Sequence, residues 1–125
     1  MNLLLDTHVL LWWLGDDPAL GQPAREAIAQ PDNLVFMSAV SIWEIVIKKS
    51  VGKLEVPDGL RAVLDEQPFH YLDMTAEHAF KVGELPLHHR DPFDRLLIAQ
   101  SLVDGLTLVT GDSNIRRYDV PVLEA

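Results

Sequence analysis

Four acids in this sequence sit in unusually apolar company. Asp6 ends a run of leucines in MNLLLDTH, and Asp112 closes LTLVTGD. Glu44 is flanked by Ile42, Trp43, Ile45, Val46 and Ile47, and Asp94 is followed by Leu96, Leu97, Ile98 and Ala99. Each has an ordinary structural explanation. Asp6 and Asp112 suit helix N-caps. Asp91-Pro92 reads as an N-cap and N1 pair, which puts Asp94 at N3, where the helix dipole favours a carboxylate. Glu44 stands i,i+4 from Lys48 and can pair with it. Taken together, the four point to different chemistry. Converging carboxylates repel one another, and their cluster is costly unless a cation neutralises it. Hard divalent ions such as Mg2+ or Mn2+ take oxygen ligands and keep several waters. Such an ion supplies a water nucleophile and stabilises charge developing on a phosphoryl group.

The elements around these acids must bring them together. Short apolar runs alternate with helical stretches. Strands are expected over 2–5, 34–37, 69–72 and 106–109, with a last short one over 120–123. Helices are expected from 7 or 8 to 14, and over 22–30, 38–51, 58–66, 75–84, 91–104 and 112–117. This alternation predicts right-handed crossovers and a three-layer α/β/α sandwich on a mostly parallel, four- to five-stranded sheet. Leu3-Leu4-Leu5 reads as a strand covered on both faces. Ligands of open parallel sheets bind beyond the carboxyl ends of the strands. Asp6 and Asp112 fall at that edge, and the helices carrying Glu44 and Asp94 start there.

The bulk composition narrows the function. The 125 residues are expected to form one domain, 1–125, and 48% of them are hydrophobic, enough for a core. There is no cysteine, which excludes disulfides and thiolate metal sites. No signal-peptide pattern is present, and the longest apolar run, 9–14, is far too short to span a bilayer. A cytoplasmic protein without membrane contact is expected. Nineteen acidic residues against ten basic ones give a net charge of −9. That argues against simple electrostatic binding of nucleic acid. It leaves room for cations that bridge carboxylates to phosphate, and for a basic protein partner.

LLLDTHVLLW, SAVSIWEIVIKKSVGKL, HRDPFDRLLIAQ and LTLVTGD, in this order and spacing, resemble PIN-domain ribonucleases. The likeness is strongest to the toxin half of bacterial VapBC toxin–antitoxin pairs, and it runs from Leu3 to Leu123. The resemblance implies an Mg2+- or Mn2+-dependent endoribonuclease. Its acidic motif carries over onto Asp6, Glu44, Asp94 and Asp112 as catalytic residues. Asp6, Asp94 and Asp112 would hold metal, and Glu44 would orient or deprotonate water. Asp91 is an additional acid beside the site, a cap first and a ligand second. A small hydroxyl residue near the metal is also implied: Thr7, Ser38 and Thr110 are candidates, with Thr110 the best placed. Gly111 departs from many relatives, which carry a larger, often basic residue there. The family further implies an RNA substrate, homodimers and a cognate antitoxin, whose basic tail suits the acidic cleft.

Other residues carry weaker signals. Arg90, Arg95 and Lys48 can contact RNA phosphates around the cleft. Lys49 and Lys53 read equally as phosphate contacts or as charges at helix ends, and Arg116 and Arg117 read more readily as the latter. His8, His88 and His89 lie near the acids, but hard ions prefer oxygen, so no histidine is expected as a ligand. Residues 9–14 are apolar on all sides, and with Trp43 they offer anchors for an interface. Two rival readings remain: a receiver-like, Mg2+-binding phosphoacceptor domain, and a catalytically inactive binding module on the same fold. The receiver reading wants adjacent acids after the first strand, an Asp after the third and a late Lys. Here the first strand ends Asp-Thr-His, only Asp73 follows the third, and no Lys follows Lys81.

Overall fold

A computed structural model describes residues 1–56 and 58–125 of the chain. It runs β1 (Asn2–Leu5), α1 (Thr7–Leu14), α2 (Gln22–Ala29), β2 (Leu34–Ser38), α3 (Ala39–Ser50), α4 (Leu60–Asp65), β3 (His70–Leu72), α5 (Ala76–Val82), α6 (Pro92–Asp104), β4 (Thr107–Thr110), a short 3-10 helix (Ile115–Arg117) and β5 (Val122–Glu124). The strands form one sheet in the order β3-β2-β1-β4-β5, and every pairing is parallel.

The leucine run occupies the middle of this sheet. Leu3, Leu4 and Leu5 expose no surface, and each contributes roughly 1.5–3 kcal/mol by burial. Side chains alternate across a strand. Leu3 and Leu5 therefore pack with Val9, Leu10, Ala24, Ile28, Ile45 and Leu64 on the α1, α2 and α4 side. Leu4 packs with Leu96, Leu97, Ile98, Leu108, Ile115 and Tyr118 on the α6 side. Helix α3 reaches both cores, through Ile45 to one and Val40 to the other. The predicted three-layer α/β/α sandwich with five parallel strands is the observed one. No helix among the described residues is long and apolar enough to cross a membrane.

Three element boundaries shift for local reasons. Ser38 ends β2 and caps α3, its hydroxyl accepting from the Val40 N–H, where a helix was expected to begin. Gly59, with φ of 83°, supplies the left-handed turn into α4, so this helix starts at Leu60 rather than 58. The helix expected over 112–117 shrinks to the 3-10 turn, because Asp112 forms an Asx turn on Asn114 instead of an α-helical cap. The strand order also differs from the 2-1-3-4-5 of receiver-type sheets, so the rival phosphoacceptor reading loses its architecture.

Candidate active site

The order β3-β2-β1-β4-β5 reverses between β1 and β4: the chain builds outward from β1 to β3, then returns to lay β4 against β1. Such a reversal leaves a crevice at the carboxyl ends of the two strands, where open α/β sheets bind ligands. Asp6 follows β1 there, its backbone N–H donating to Val109 O at 3.0 Å. Thr110 ends β4 on the other side, with Asp112 two residues beyond.

Asp6 is 4% exposed, and its Oδ1 caps α1 by accepting from the Val9 N–H at 2.8 Å. Burial pushes its carboxyl above the usual range. The Thr110 hydroxyl, the Val9 N–H and His8 oppose that shift, while the charge of Asp112 adds to it. Thr110 Oγ1 accepts from the Asp112 N–H at 3.0 Å, and Asp112 Oδ1 accepts from the Asn114 N–H at 2.7 Å. Gly111 lies between them. A Cβ there would stand 3.7 Å from the Trp12 ring, an ordinary van der Waals contact with α1.

Asp94 enters from α6. Its pKa is raised to about 6, mainly by burial, with the charges of Asp91 and Asp112 adding to the shift and His89 opposing it. Asp94 Oδ2 lies 3.1 Å from His89 Nε2. Asp91 caps α6: its Oδ1 accepts from the Phe93 N–H at 2.9 Å and the Asp94 N–H at 3.1 Å. The charge of Asp112 acts on Asp6, and those of Asp91 and Asp112 act on Asp94, so acids from three segments lie near one another at this crevice.

Glu44 is 3% exposed on α3. The Thr7 hydroxyl donates to its Oε1 at 2.6 Å, and Ser41 Oγ lies 3.0 Å from the same hydroxyl. Lys48 Nζ donates to Glu44 Oε2 at 2.5 Å, the i,i+4 pair visible in the sequence. That hydrogen bond holds the Lys48 ammonium above its ordinary pKa, and the charges of Glu44, Asp91 and Asp94 reinforce it. Lys48 therefore sits at the margin of the acid crevice, already committed to Glu44. Thr7, adjacent to Asp6 in sequence, ties Glu44 to the same end of β1.

One expected residue is placed elsewhere. Arg95, anticipated as an RNA contact, is buried on the side of α6 that packs toward α5. Its guanidinium donates to Pro86 O at 2.8 Å, Val82 O at 3.2 Å and the Tyr118 hydroxyl at 2.9 Å, so it braces the fold and has no free face for phosphate. Arg90 is exposed beside Asp91. Arg116 pairs with Glu124 at 2.6 Å, and Arg117 donates to His88 O at 2.8 Å. Ser38 lies away from the acids, bonded to Gln100 at 2.6 Å. Two further residues touch the site network: His89, noted in the sequence but discounted as a ligand, meets Asp94, and Tyr118, which sequence reasoning passed over, meets His89. The pair His88-His89 just before the Asp91 cap was a usable signal for the first. Nothing in RRYDV marked the second.

The donors suit a hard cation. The crevice offers carboxylate and hydroxyl oxygens, with Asp94 and Asp6 held above their usual pKa by burial and neighbouring acids. Among the described residues, no three His, Asp or Glu side chains come together closely enough to hold a metal ion by themselves. Mg2+ ordinarily uses one or two carboxylates, with water and substrate phosphate completing its shell.

The fold is a parallel α/β/α sandwich with acids gathered at the carboxyl ends of β1 and β4. The chain belongs to the PIN domain family, whose model matches residues 3–121. It is 29% identical over 123 residues to ribonuclease VapC22 of Mycobacterium tuberculosis, covering 96% of this chain and 94% of that protein. The fold is also that of VapBC2 from Rickettsia felis, bound to a fragment of its promoter DNA, with a TM-score of 0.76 at 19% identity over 100% of this chain and 99% of that one. VapBC from Salmonella typhimurium, likewise DNA-bound, superposes with a TM-score of 0.71 at 16% identity over 99% and 98%.

Proposed function

We propose that this chain is a divalent-metal-dependent endoribonuclease, and that it is the toxin component of a VapBC-type toxin–antitoxin pair acting in the cytoplasm as one nuclease domain. The observation that supports the activity is the gathering of Asp6, Asp94 and Asp112 at the β1/β4 crevice, close enough for the charge of Asp112 to add to the raised pKa of both Asp6 and Asp94. The likeness to VapC22 supports RNA as the substrate. The fold shared with VapBC complexes supports an antitoxin partner.

Asp6, Asp94 and Asp112 would hold Mg2+ or Mn2+, with Thr110 and Asp91 beside them. When bound, the ion supplies a water nucleophile at neutral pH and neutralises charge on the phosphate. The protein's own contribution is placement. The caps on Asp6 and Asp91 and the Asx turn of Asp112 fix one oxygen of each carboxylate. Glu44, held between Thr7 and Lys48, orients water and accepts its proton. Arg90 is left as the exposed phosphate contact on the Asp91 side. The half-exposed Trp43, packed edge-on against Phe93 at 5.1 Å, offers an anchor for the antitoxin or for a second copy in a homodimer.

The test is cleavage of labelled structured RNA in Mg2+ and in Mn2+. Asp6→Asn and Asp112→Asn should each lose activity by at least a hundredfold while keeping the native circular dichroism spectrum, and EDTA should abolish cleavage by the natural protein. Full activity in EDTA, or in either variant, overturns the mechanism.

A further inference from the structure

Asp94 and Arg95 are sequence neighbours set about 100° apart around α6, and a hydrogen-bonded chain links them. Arg95 Nη1 donates to the Tyr118 hydroxyl at 2.9 Å. The backbone N–H of His89 reaches the same oxygen at 3.3 Å. His89 Nδ1 lies 2.8 Å from it, and His89 Nε2 lies 3.1 Å from Asp94 Oδ2. Arg95 itself is anchored on the carbonyls of Pro86 and Val82.

The directions of these bonds follow from the donor inventory. A guanidinium and a backbone N–H can only donate. The phenol oxygen therefore accepts from both, and its own proton must go to another acceptor. His89 Nδ1 is the nearest one, since His89 O lies at 3.5 Å. Accepting that proton leaves Nδ1 without a hydrogen and puts the ring N–H on Nε2. Nε2–H then donates to Asp94. Edge-on packing of His88 and His89 against the Tyr118 ring, at 4.8 and 5.4 Å between centroids, holds the phenol in this position.

We propose that His89 is a positioning residue for Asp94, with its tautomer set by Tyr118 and Arg95, and that this relay orients the Asp94 carboxylate for metal binding. The relay satisfies Asp94 Oδ2 from the protein side, and Asp94 Oδ1 has no hydrogen-bond partner among the described residues. It also supplies an N–H dipole that opposes repulsion from Asp91 and Asp112. Outer hydrogen bonds of this kind orient a ligating group and are ordinarily worth about ten- to a hundredfold in metal affinity. The inference rests on the reading of Asp94 as a metal ligand.

The experiment is Mn2+ binding by titration calorimetry on the full chain, paired with 15N NMR of the His89 ring at pH 8. The natural protein should bind Mn2+ and show the Nε2–H tautomer. His89→Leu should bind Mn2+ about ten- to a hundredfold more weakly. His89→Gln, which keeps an N–H at the corresponding place, should recover to within about threefold. Tyr118→Phe, which keeps the ring but not the proton, should move the tautomer toward Nδ1–H and weaken Mn2+ binding in step. It also serves if the leucine variant does not fold. In an Asp94→Asn background, His89→Leu should have no further effect. His89→Leu binding Mn2+ as tightly as the natural protein overturns the relay and leaves the metal site standing, as does an unchanged tautomer in Tyr118→Phe. An Asp94→Asn variant that binds Mn2+ like the natural protein overturns the underlying metal reading, and the relay with it.

Discussion

Asp94→Asn should destroy nuclease activity and stabilise the metal-free fold. The carboxyl of Asp94 is raised from 3.8 to about 6 by burial and by Asp91 and Asp112. A raised acid pKa means that the folded state holds the proton more tightly than the unfolded one. Ionisation then penalises the fold: hardly at all below about pH 4, increasingly between pH 4 and 6, and fully above 6. A shift of about two units corresponds to about 3 kcal/mol, and the side chain is only 17% exposed, so solvent screens little of it. The amide removes the charge and keeps an oxygen for His89 Nε2–H, whose preference for the ionised carboxylate is already contained in the net shift. The gain at pH 7.5 is therefore about 3 kcal/mol, or about 9–12 °C in Tm for a chain of this size. At pH 4.5 the difference should be near zero. Urea unfolding in EDTA at pH 4.5, 6 and 7.5, followed by circular dichroism, reads this directly. Adding Mn2+ at a hundredfold excess over its Kd should stabilise the natural protein by about 2.7 kcal/mol and close the gap. A stability difference that is flat across pH, or an asparagine variant less stable than the natural protein at pH 7.5, would refute the reasoning.

The other predictions concern the residues around the acids. Arg95→Met should lower stability by about 2–4 kcal/mol, because it strands the Pro86 and Val82 carbonyls. Arg90→Ala should instead leave the urea midpoint within about 0.5 kcal/mol and weaken RNA binding, with a shallower salt dependence in filter binding. Equal unfolding midpoints for the two variants would show that their roles are misassigned. Thr7→Val keeps the shape but strands Glu44 Oε1, which is buried. It should cost about 1–3 kcal/mol and slow single-turnover RNA cleavage by about tenfold, and an unchanged rate would sever Thr7 from the chemistry.

What was readable in the sequence was whatever depends on near neighbours in the chain. The run Leu3-Leu4-Leu5 declares a strand covered on both sides, and Asp91-Pro92 with Gly105 declares both ends of α6 within a residue. The positions of Asp6 and Asp112 were readable because a carboxylate just after an apolar parallel strand lies at the sheet's edge. What was hidden depends on distant contacts or on rotation about a helix. Arg95 follows Asp94 by about 100° around α6, which is enough to carry it from the crevice to the packed side toward α5. No spacing rule shows which of the two faces outward when both flank an apolar run. The Tyr118 hydroxyl meets His89 from 29 residues away, and no local pattern anticipates that.

Capping and metal binding looked like competing explanations for each acid, yet they use different atoms. A carboxylate has two oxygens. In Asp6, Asp91 and Asp112 a backbone N–H of the same chain segment takes Oδ1, and in Asp94 the His89 ring takes Oδ2. A carboxylate held at one oxygen has lost most of its rotational freedom before any ligand arrives. The remaining oxygen then binds without the ordering cost that a freely turning side chain incurs. The caps therefore add to the case for a cation site, since they hold neighbouring acids in place although burial and nearby charge penalise the ionisation of Asp6 and Asp94.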